Sequence, residues 1–375
     1  MDLKRIRIFR RVFQGIFTPI NKIFFKKSNR IVLYSNWGFR DNVEYLFKFL
    51  VENNYNQRYE IICASNSFES IQLSDYQNVK YTKNKLLMLY YYLSSKYFFY
   101  CFGGIPIEPA KKQIIVNLWH GMPIKKIGYL EENVEHKRLN YFTYLLCYSS
   151  FFSDVLKKSF DVSEDKLMIA NAPRNAPFIA DGKKNIVGKS YIVWMPTYRS
   201  SKKLNSVNGS KNEILPLIKD KKELINLDTV LAANDKILFI KLHPLQDKTE
   251  VKGNYKNIVF IDDRWLKVQG TNLYEFLAAS ESLITDYSSI SIDYVLLNKP
   301  IFYILDDLKA YEETRGLNYK LDEFLAGDVI KNYDELVKVF EGYQDDPTLR
   351  REKLYQFYDS PNHSSKYILD YVGIK

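Results

Sequence analysis

Two of the chain's four histidines stand where apolar runs end. "QIIV" (Gln113–Val116) leads into Leu118, Trp119, His120 and Gly121, then Pro123 and two lysines. "ILFIKLHP" (Ile237–Pro244) places His243 in the same way. A glycine or a proline is enough to stop a strand, so a histidine there asks for another explanation. Neutral imidazole near its pKa takes a proton from a hydroxyl, and imidazolium offsets phosphate charge. One such histidine alone is more often structural; a matched pair, one in each half of the chain, favours function. His136 and His363 fall in polar segments that read as solvated.

Other polar residues gather at other run ends. "SLITDYSSISIDYVLLNKPIFYI" (Ser282–Ile304) reads as strand, tight turn, helix, strand, with Thr285, Asp286, Ser288 and Ser289 at the helix start. Free backbone N–H groups and hydroxyls there make an anion site. Plain capping by Ser and Asp is the alternative, although two adjacent serines and a threonine exceed what one cap needs. "WMPTYR" (Trp194–Arg199) ends a strand in Pro196, Thr197 and Arg199. Arg199 is either a clamp on a phosphate oxygen or a surface arginine, and Arg174 in "PRN" (Pro173–Asn175) has the same two readings. Arg315 and Gly316 sit in a loop past the last such strand. There is no G-x-x-x-x-G-K-[ST], no G-x-G-x-x-G and no His/Cys spacing of a metal site. A cleft with histidines, hydroxyls at a helix start, arginines and no metal cage points to a phosphorylated ligand, with no cofactor expected.

The elements that must position these residues alternate. Strand patterns lie at Arg30–Ser35, Tyr59–Ala64, Tyr97–Phe102, Gln113–Leu118, Tyr144–Tyr148 and Lys166–Ala170, with helical patterns between most of them. A polar gap at Asp181–Ser190 reads as a linker. A second set follows at Tyr191–Met195, Lys236–Leu242, Asn257–Ile261, Ser282–Thr285 and Pro300–Ile304, and helical patterns close the chain at Asp334–Tyr343 and Leu349–Phe357. Such alternation means parallel sheets covered by helices, and 375 residues suit two domains. The fold class is α/β, with two doubly wound, Rossmann-like domains facing a cleft: residues 30–185 and 186–375, the last helix free to return to the first. "RSSKKLNSVNGSKNE" (Arg199–Glu213) reads as a long polar loop.

Net charge is +10, but residues 1–27 hold eight basic residues against Asp2, so most of it sits there. The body is therefore no nucleic-acid binder. In residues 1–29, Ile6, Phe9, Phe13, Ile16, Ile20 and Ile23 recur at helical spacing with arginines on the other side. Pro19 should kink or split that helix. The segment is too short in apolar residues to span a bilayer and has no cleavage site of a signal peptide. It reads as an amphipathic helix lying on an anionic membrane surface; a solvated helix packed on the body is the plainer option. Leu86–Tyr100 reads as a buried helix followed by a strand. Three scattered cysteines fit a reducing compartment.

Seven landmarks together resemble the CDP-glycerol glycerophosphotransferase family of teichoic-acid and capsule enzymes. They are "DNVEYLFKFL" (Asp41–Leu50), "WHGMPIKKIG" (Trp119–Gly128), "APRN" (Ala172–Asn175), "PTYR" (Pro196–Arg199), "KLHP" (Lys241–Pro244), "ITDYSS" (Ile284–Ser289) and "RG" (Arg315–Gly316). The resemblance implies a GT-B fold. It also implies transfer of a polyol phosphate, glycerol phosphate first, from CDP-glycerol or CDP-ribitol to a lipid-linked glycan acceptor, with release of CMP. His120 would be the general base toward the acceptor. His243 would steady the donor phosphates or leaving CMP. Ser288, Ser289, Thr285 and Asp286 would hold the donor, while Arg199 and Arg315 offset its charge. Gly121, Arg174, Thr197 and Lys241 lie in the same landmarks and count as substrate-binding positions. Phosphoryl transfer rests on positioning and electrostatics, and removing one such group should cost roughly 2.7–4 kcal/mol, by analogy with a lost oxyanion donor. The implied location is peripheral, at the cytoplasmic face of the bacterial cell membrane. Two departures stand out: Met122 where relatives often have Thr, and "DSPNHSSK" (Asp359–Lys366) where the family has a late D-G-x-[SA].

Two rival readings remain. A GT-B glycosyltransferase using a nucleotide sugar would share the fold and the phosphate site. A membrane-attached binding protein that has lost activity would share the amphipathic start.

Overall fold

Most predicted strands are unbroken apolar runs, as parallel strands covered on both faces must be. In the computed structural model, the runs of the first half form a seven-stranded, all-parallel sheet. Its strands are β1 (Lys27–Ser35), β2 (Glu60–Ser65), β3 (Val79–Thr82), β4 (Ser95–Phe102), β5 (Ile114–Asn117), β6 (Tyr144–Cys147) and β7 (Leu167–Ile169), in the order β3-β2-β1-β4-β5-β6-β7. β1 is central, with Ile31 opposite Ile61 of β2 and Tyr97 of β4. Ile31, Val32 and Leu33 are wholly buried, as are Phe98 and Phe99 beside them.

The second half repeats the plan. β8 (Ser190–Trp194), β11 (Lys236–Lys241), β12 (Ile258–Ile261), β13 (Ser282–Thr285), β14 (Ile301–Ile304) and β15 (Asp328–Ile330) form a parallel sheet in the order β12-β11-β8-β13-β14-β15. Two short strands, β9 (Ser200–Ser201) and β10 (Ser206–Val207), pair apart from it. Both large sheets thus have Rossmann-like order, as the GT-B reading requires: three strands progress one way, then the chain returns to the first strand's other side. The described residues are 3–69, 71, 75–132, 138–197, 200–201, 206–207, 214–242, 251 and 253–375.

The chain divides into two compact units. The first is Met1–His120, Gly128–Ala176 and Tyr358–Lys375; the second is Gly121–Ile127 and Pro177–Phe357. The crossing at Ala176–Pro177 precedes the polar gap at Asp181–Ser190. The last helix, Ser365–Tyr371, belongs to the first unit. Its approach is tied down by Asn171, which donates to Pro361 O at 2.6 Å. Asp359, in the stretch that departs from the family, accepts from Ser150 N at 3.0 Å and so caps α4 (Ser150–Phe160).

Three expectations need correction. No sequence pattern marks β3 or β15; both are short edge strands with half-exposed residues, so neither shows a full apolar run. Helix α3 (Lys85–Ser94) is not buried: Leu86 is 78% exposed and Leu87 and Tyr90 each 47%. Pro19 does not split α1 (Leu3–Ile23), which continues through it. Tertiary contacts of Asn21 hold that last turn, its amide donating to Glu108 O and Gln113 Oε1 at 2.8 Å each.

Candidate active site

In the first unit the strand order reverses between β1 and β4, and in doubly wound sheets ligands sit at the carboxyl side of that point. His120 lies there, just past β5. Its ring is half-buried, stacked on Phe102 (4.6 Å, 22°) and close to Trp119 (4.0 Å, 33°). Nδ1 is 3.2 Å from the carbonyl of Cys101. A carbonyl only accepts, so Nδ1 carries a proton; in the neutral ring the lone pair then lies on Nε2, the tautomer a general base needs.

The backbone before His120 is strained. Trp119 has φ +51°, a left-handed conformation uncommon for a bulky residue. The turn is held from both sides. Asn117 Oδ1 accepts from Trp119 N at 3.0 Å. The buried Asn42, at the start of α2 (Asn42–Glu52), donates its amide to Leu118 O and Trp119 O, each at 3.0 Å. Asn42 Oδ1 in turn accepts from Arg174 N at 3.1 Å. The Arg174 guanidinium, 3% exposed, pairs with Asp41 Oδ1 and Oδ2 at 3.2 and 3.0 Å. Asp41 itself sits at φ 63°, ψ −144°, a conformation that costs ~1–3 kcal/mol outside glycine. Three separate landmarks therefore converge on one turn. Arg174, expected at a phosphate, is buried against Asp41 and donates its backbone N–H to Asn42, which holds the turn before His120.

In the second unit the order reverses between β8 and β13. Thr197 and Asp286 meet at that point: Asp286 Oδ2 accepts from Thr197 N at 2.7 Å and Thr197 Oγ1 at 3.0 Å. Thr285 is wholly buried and donates its hydroxyl to Met195 O at 3.1 Å. Thr285 and Asp286 thus hold the turn together, while Ser288 and Ser289 stay half-exposed before the short helix Ile290–Tyr294. Lys241 closes β11 and pairs with Asp263 at 2.9 Å. Arg315 is exposed at the end of helix Leu308–Thr314.

Gly121–Ile127 joins this second unit as a strap. Lys125 bridges Leu317. Asn318 Nδ2 donates to Pro123 O and Lys125 O at 3.0 and 2.8 Å. Gly316 adopts φ +68°, a left-handed conformation that residues with a side chain rarely take. That is why "RG" needs its glycine. The strap brings the half-buried Lys125 into the electrostatic reach of Asp286 and Arg315. Burial pushes the Lys125 pKa below its ordinary value, Arg315 adds to this, and Asp286 opposes it.

Lys125 and Asn42 are the site residues that sequence reasoning left unassigned. A lysine between Ile124 and Ile127, and a polar pair opening an apolar helix, were the available signals. His243 and Arg199 lie outside the described residues, as does His136. Among the described residues no His/Cys/Asp/Glu group could hold a metal, and the three cysteines are buried and unpaired as disulfides.

Residues 16–371 match the family model for CDP-Glycerol:Poly(glycerophosphate) glycerophosphotransferase. The teichoic acid glycerol-phosphate primase of Bacillus subtilis is 28% identical over 239 residues, covering 59% of this chain and 56% of that protein. The teichoic acid ribitol-phosphate primase of Bacillus spizizenii is 24% identical over 294 residues, 73% of each chain. The chain thus spans little more than half the length of the first of these relatives. The solved wall teichoic acid polymerase TagF is 18% identical with a TM-score of 0.69, covering 99% of this chain and 98% of that one; this likeness shows the fold. A variant of TagF has been solved after soaking with CDPG. With the family model spanning nearly the whole sequence, the chain belongs to the CDP-Glycerol:Poly(glycerophosphate) glycerophosphotransferase family.

Proposed function

We propose that the protein transfers a polyol phosphate, glycerol phosphate first, from a CDP-activated donor to a hydroxyl of a lipid-linked acceptor. His120 Nε2 takes the hydroxyl proton while that oxygen attacks the phosphorus nearest the polyol. The P–O bond to the other phosphate breaks, and CMP leaves with the electron pair. Thr197, Ser288, Ser289, Lys241 and Arg315, with Arg199, bind the donor; Gly121 lets its backbone approach closely, and His243 steadies the departing CMP. Lys125 adds a further cation. The observation that carries this reading is the His120 turn, strained at Trp119 and clamped by Asn42 so that a basic nitrogen stands at the sheet's switch point.

The same reading puts the protein at the cytoplasmic membrane surface. α1 supports it by turning a polar stripe inward. Gln14 accepts from Tyr141 OH at 2.9 Å, Thr18 Oγ1 accepts from Glu108 N at 3.3 Å, and Asn21 is wholly buried. Ile8, Val12 and Ile16 are left 52–56% exposed. Phe13 and Ile20, of the predicted apolar face, are instead half-buried together with Phe17, so the outward apolar face is the Ile8, Val12 and Ile16 row. No helix among the described residues is long and apolar enough to cross a membrane.

The test is nucleotide release. Incubation with CDP-glycerol, CDP-ribitol or UDP-sugars plus a lipid-linked acceptor should yield CMP from a CDP donor. UDP without CMP would reject the assignment in favour of a glycosyltransferase.

A further inference from the structure

A cavity of about 740 Å³ opens within the first unit where β1, β4 and β5 end, and His120 is part of its wall. The lining is mostly apolar and aromatic. Trp37 stacks on Phe102 (5.6 Å, 15°), Phe102 on His120 (4.6 Å, 22°), and Trp119 meets Phe160 edge-on (4.7 Å, 88°). Trp37 is 65% exposed. A stacked indole left open beside a candidate base is an unspent ligand surface. Asn36 and Tyr100 add polar edges, and cations come from Arg10 of α1, Lys85 of α3 and Arg138. Arg138 and Lys85 are exposed, so the charge belongs to the rim and the rings to the wall.

We infer that this cavity binds a pyranose ring of the acceptor, stacked on Trp37 and Phe102 with a hydroxyl toward His120. The protein then places the first polyol phosphate on a sugar instead of extending a polyol-phosphate chain. A pyranose offers an apolar C–H face to an aromatic ring and hydroxyls to polar edges. A polyol-phosphate chain has no flat apolar face to lay on those rings. Arg138 is paired with Glu108 at 2.5 Å, so Lys85 is the exposed cation that suits the phosphate linking a glycan to its lipid. This inference rests on the transferase reading for its chemistry, but the sugar site can be tested separately.

Two measurements separate them. First, methyl glycosides of hexoses and N-acetylhexosamines are titrated against glycerol 3-phosphate, with tryptophan emission as readout, in the full chain and in Trp37→Ala. A saturable response to at least one glycoside, absent for glycerol 3-phosphate and lost in Trp37→Ala, supports the site. No glycoside response, or one unchanged by the substitution, overturns it. Second, CMP release is compared for two acceptors on one lipid, one ending in a sugar and one already carrying glycerol phosphate. The sugar-ended acceptor should have at least tenfold higher kcat/KM, and Trp37→Ala should raise its KM about tenfold without changing the KM of CDP-glycerol. Preference for the phosphate-ended acceptor overturns the inference. Glycoside binding without CMP release from either acceptor would keep the sugar site and sink the transferase reading. Because Trp37 is exposed, its substitution should leave the circular dichroism spectrum unchanged.

Discussion

The Asn42 amide lies 3.0 Å from the carbonyl oxygens of both Leu118 and Trp119. It comes from the first turn of α2, yet it sets the backbone that presents His120. Behind it, buried Arg174 pairs with half-buried Asp41, and Arg174 N donates to Asn42 in turn. The proposal that His120 is the general base calls for this kind of rigid support, because small misplacement is expensive in rate.

Asn42→Ala should therefore lower kcat for CMP release about 10²-fold with the KM for CDP-glycerol unchanged. His120→Ala should cost about 10²–10⁴-fold. If Asn42 acts by positioning His120, adding Asn42→Ala to His120→Ala should cost little more. A further full loss in the double variant would show that Asn42 works elsewhere.

Lys125 should matter to the donor. Lys125→Gln is expected to raise the KM for CDP-glycerol more than it lowers kcat. The ammonium form binds phosphate, and burial together with Arg315 holds its pKa below the ordinary value of 10.5. Donor affinity should thus weaken as pH rises, at lower pH than an ordinary lysine would give. Lys125→Arg should move that break upward, since guanidinium stays charged. KM profiles of the two proteins across alkaline pH decide it; superimposable curves would count against Lys125.

Glu60 ties three strands of the first sheet together. It accepts from Arg30 Nε at 2.7 Å, Lys80 Nζ at 2.8 Å and Lys27 Nζ at 3.3 Å. Burial pushes its pKa up, but the hydrogen bonds from Lys80, Arg30 and Lys27, with Arg30's charge, win and hold it at about 2, down from 4.5. A depressed carboxyl stabilises above its unfolded pKa and stops doing so as pH falls through the folded one. Glu60→Gln should cost roughly 2–3 kcal/mol near neutral pH, and denaturation curves should show that cost shrinking from pH 4.5 toward 2.

The outward face of α1 gives a membrane test that spares the fold. Removing the helix would strip Asn21 from Glu108 and Gln113, so point changes are cleaner. Replacing Ile8, Val12 and Ile16 together by Glu should abolish co-sedimentation with anionic vesicles, since each aliphatic side chain contributes about 1.5–3 kcal/mol when buried. The melting temperature should hold, because all three are exposed. Undiminished vesicle binding would refute this surface as the attachment site.

The strands that carry the site were legible because a covered parallel strand is a contiguous apolar run. Arg30–Ser35 and Ser282–Thr285 could hardly be read otherwise, and the polar residues that end such runs fall at the carboxyl edge by construction. Edge strands Val79–Thr82 and Asp328–Ile330 lack that signal. The outward leucines of α3 misled for the opposite reason: apolar content says nothing about which face is covered.

From the chain alone came the two Rossmann-like halves, the basic charge of the first residues and the residues at the strand ends, because period, turn chemistry and charge are local properties. Tertiary structure alone decided that Arg174 meets Asp41 across 133 residues and that Gly121–Ile127 is strapped by Asn318 to the second unit. It also decided that α1 buries Asn21 while Ile8, Val12 and Ile16 face outward. Such choices depend on which distant groups satisfy one another's hydrogen bonds and charge once buried, and no spacing along the chain encodes that pairing.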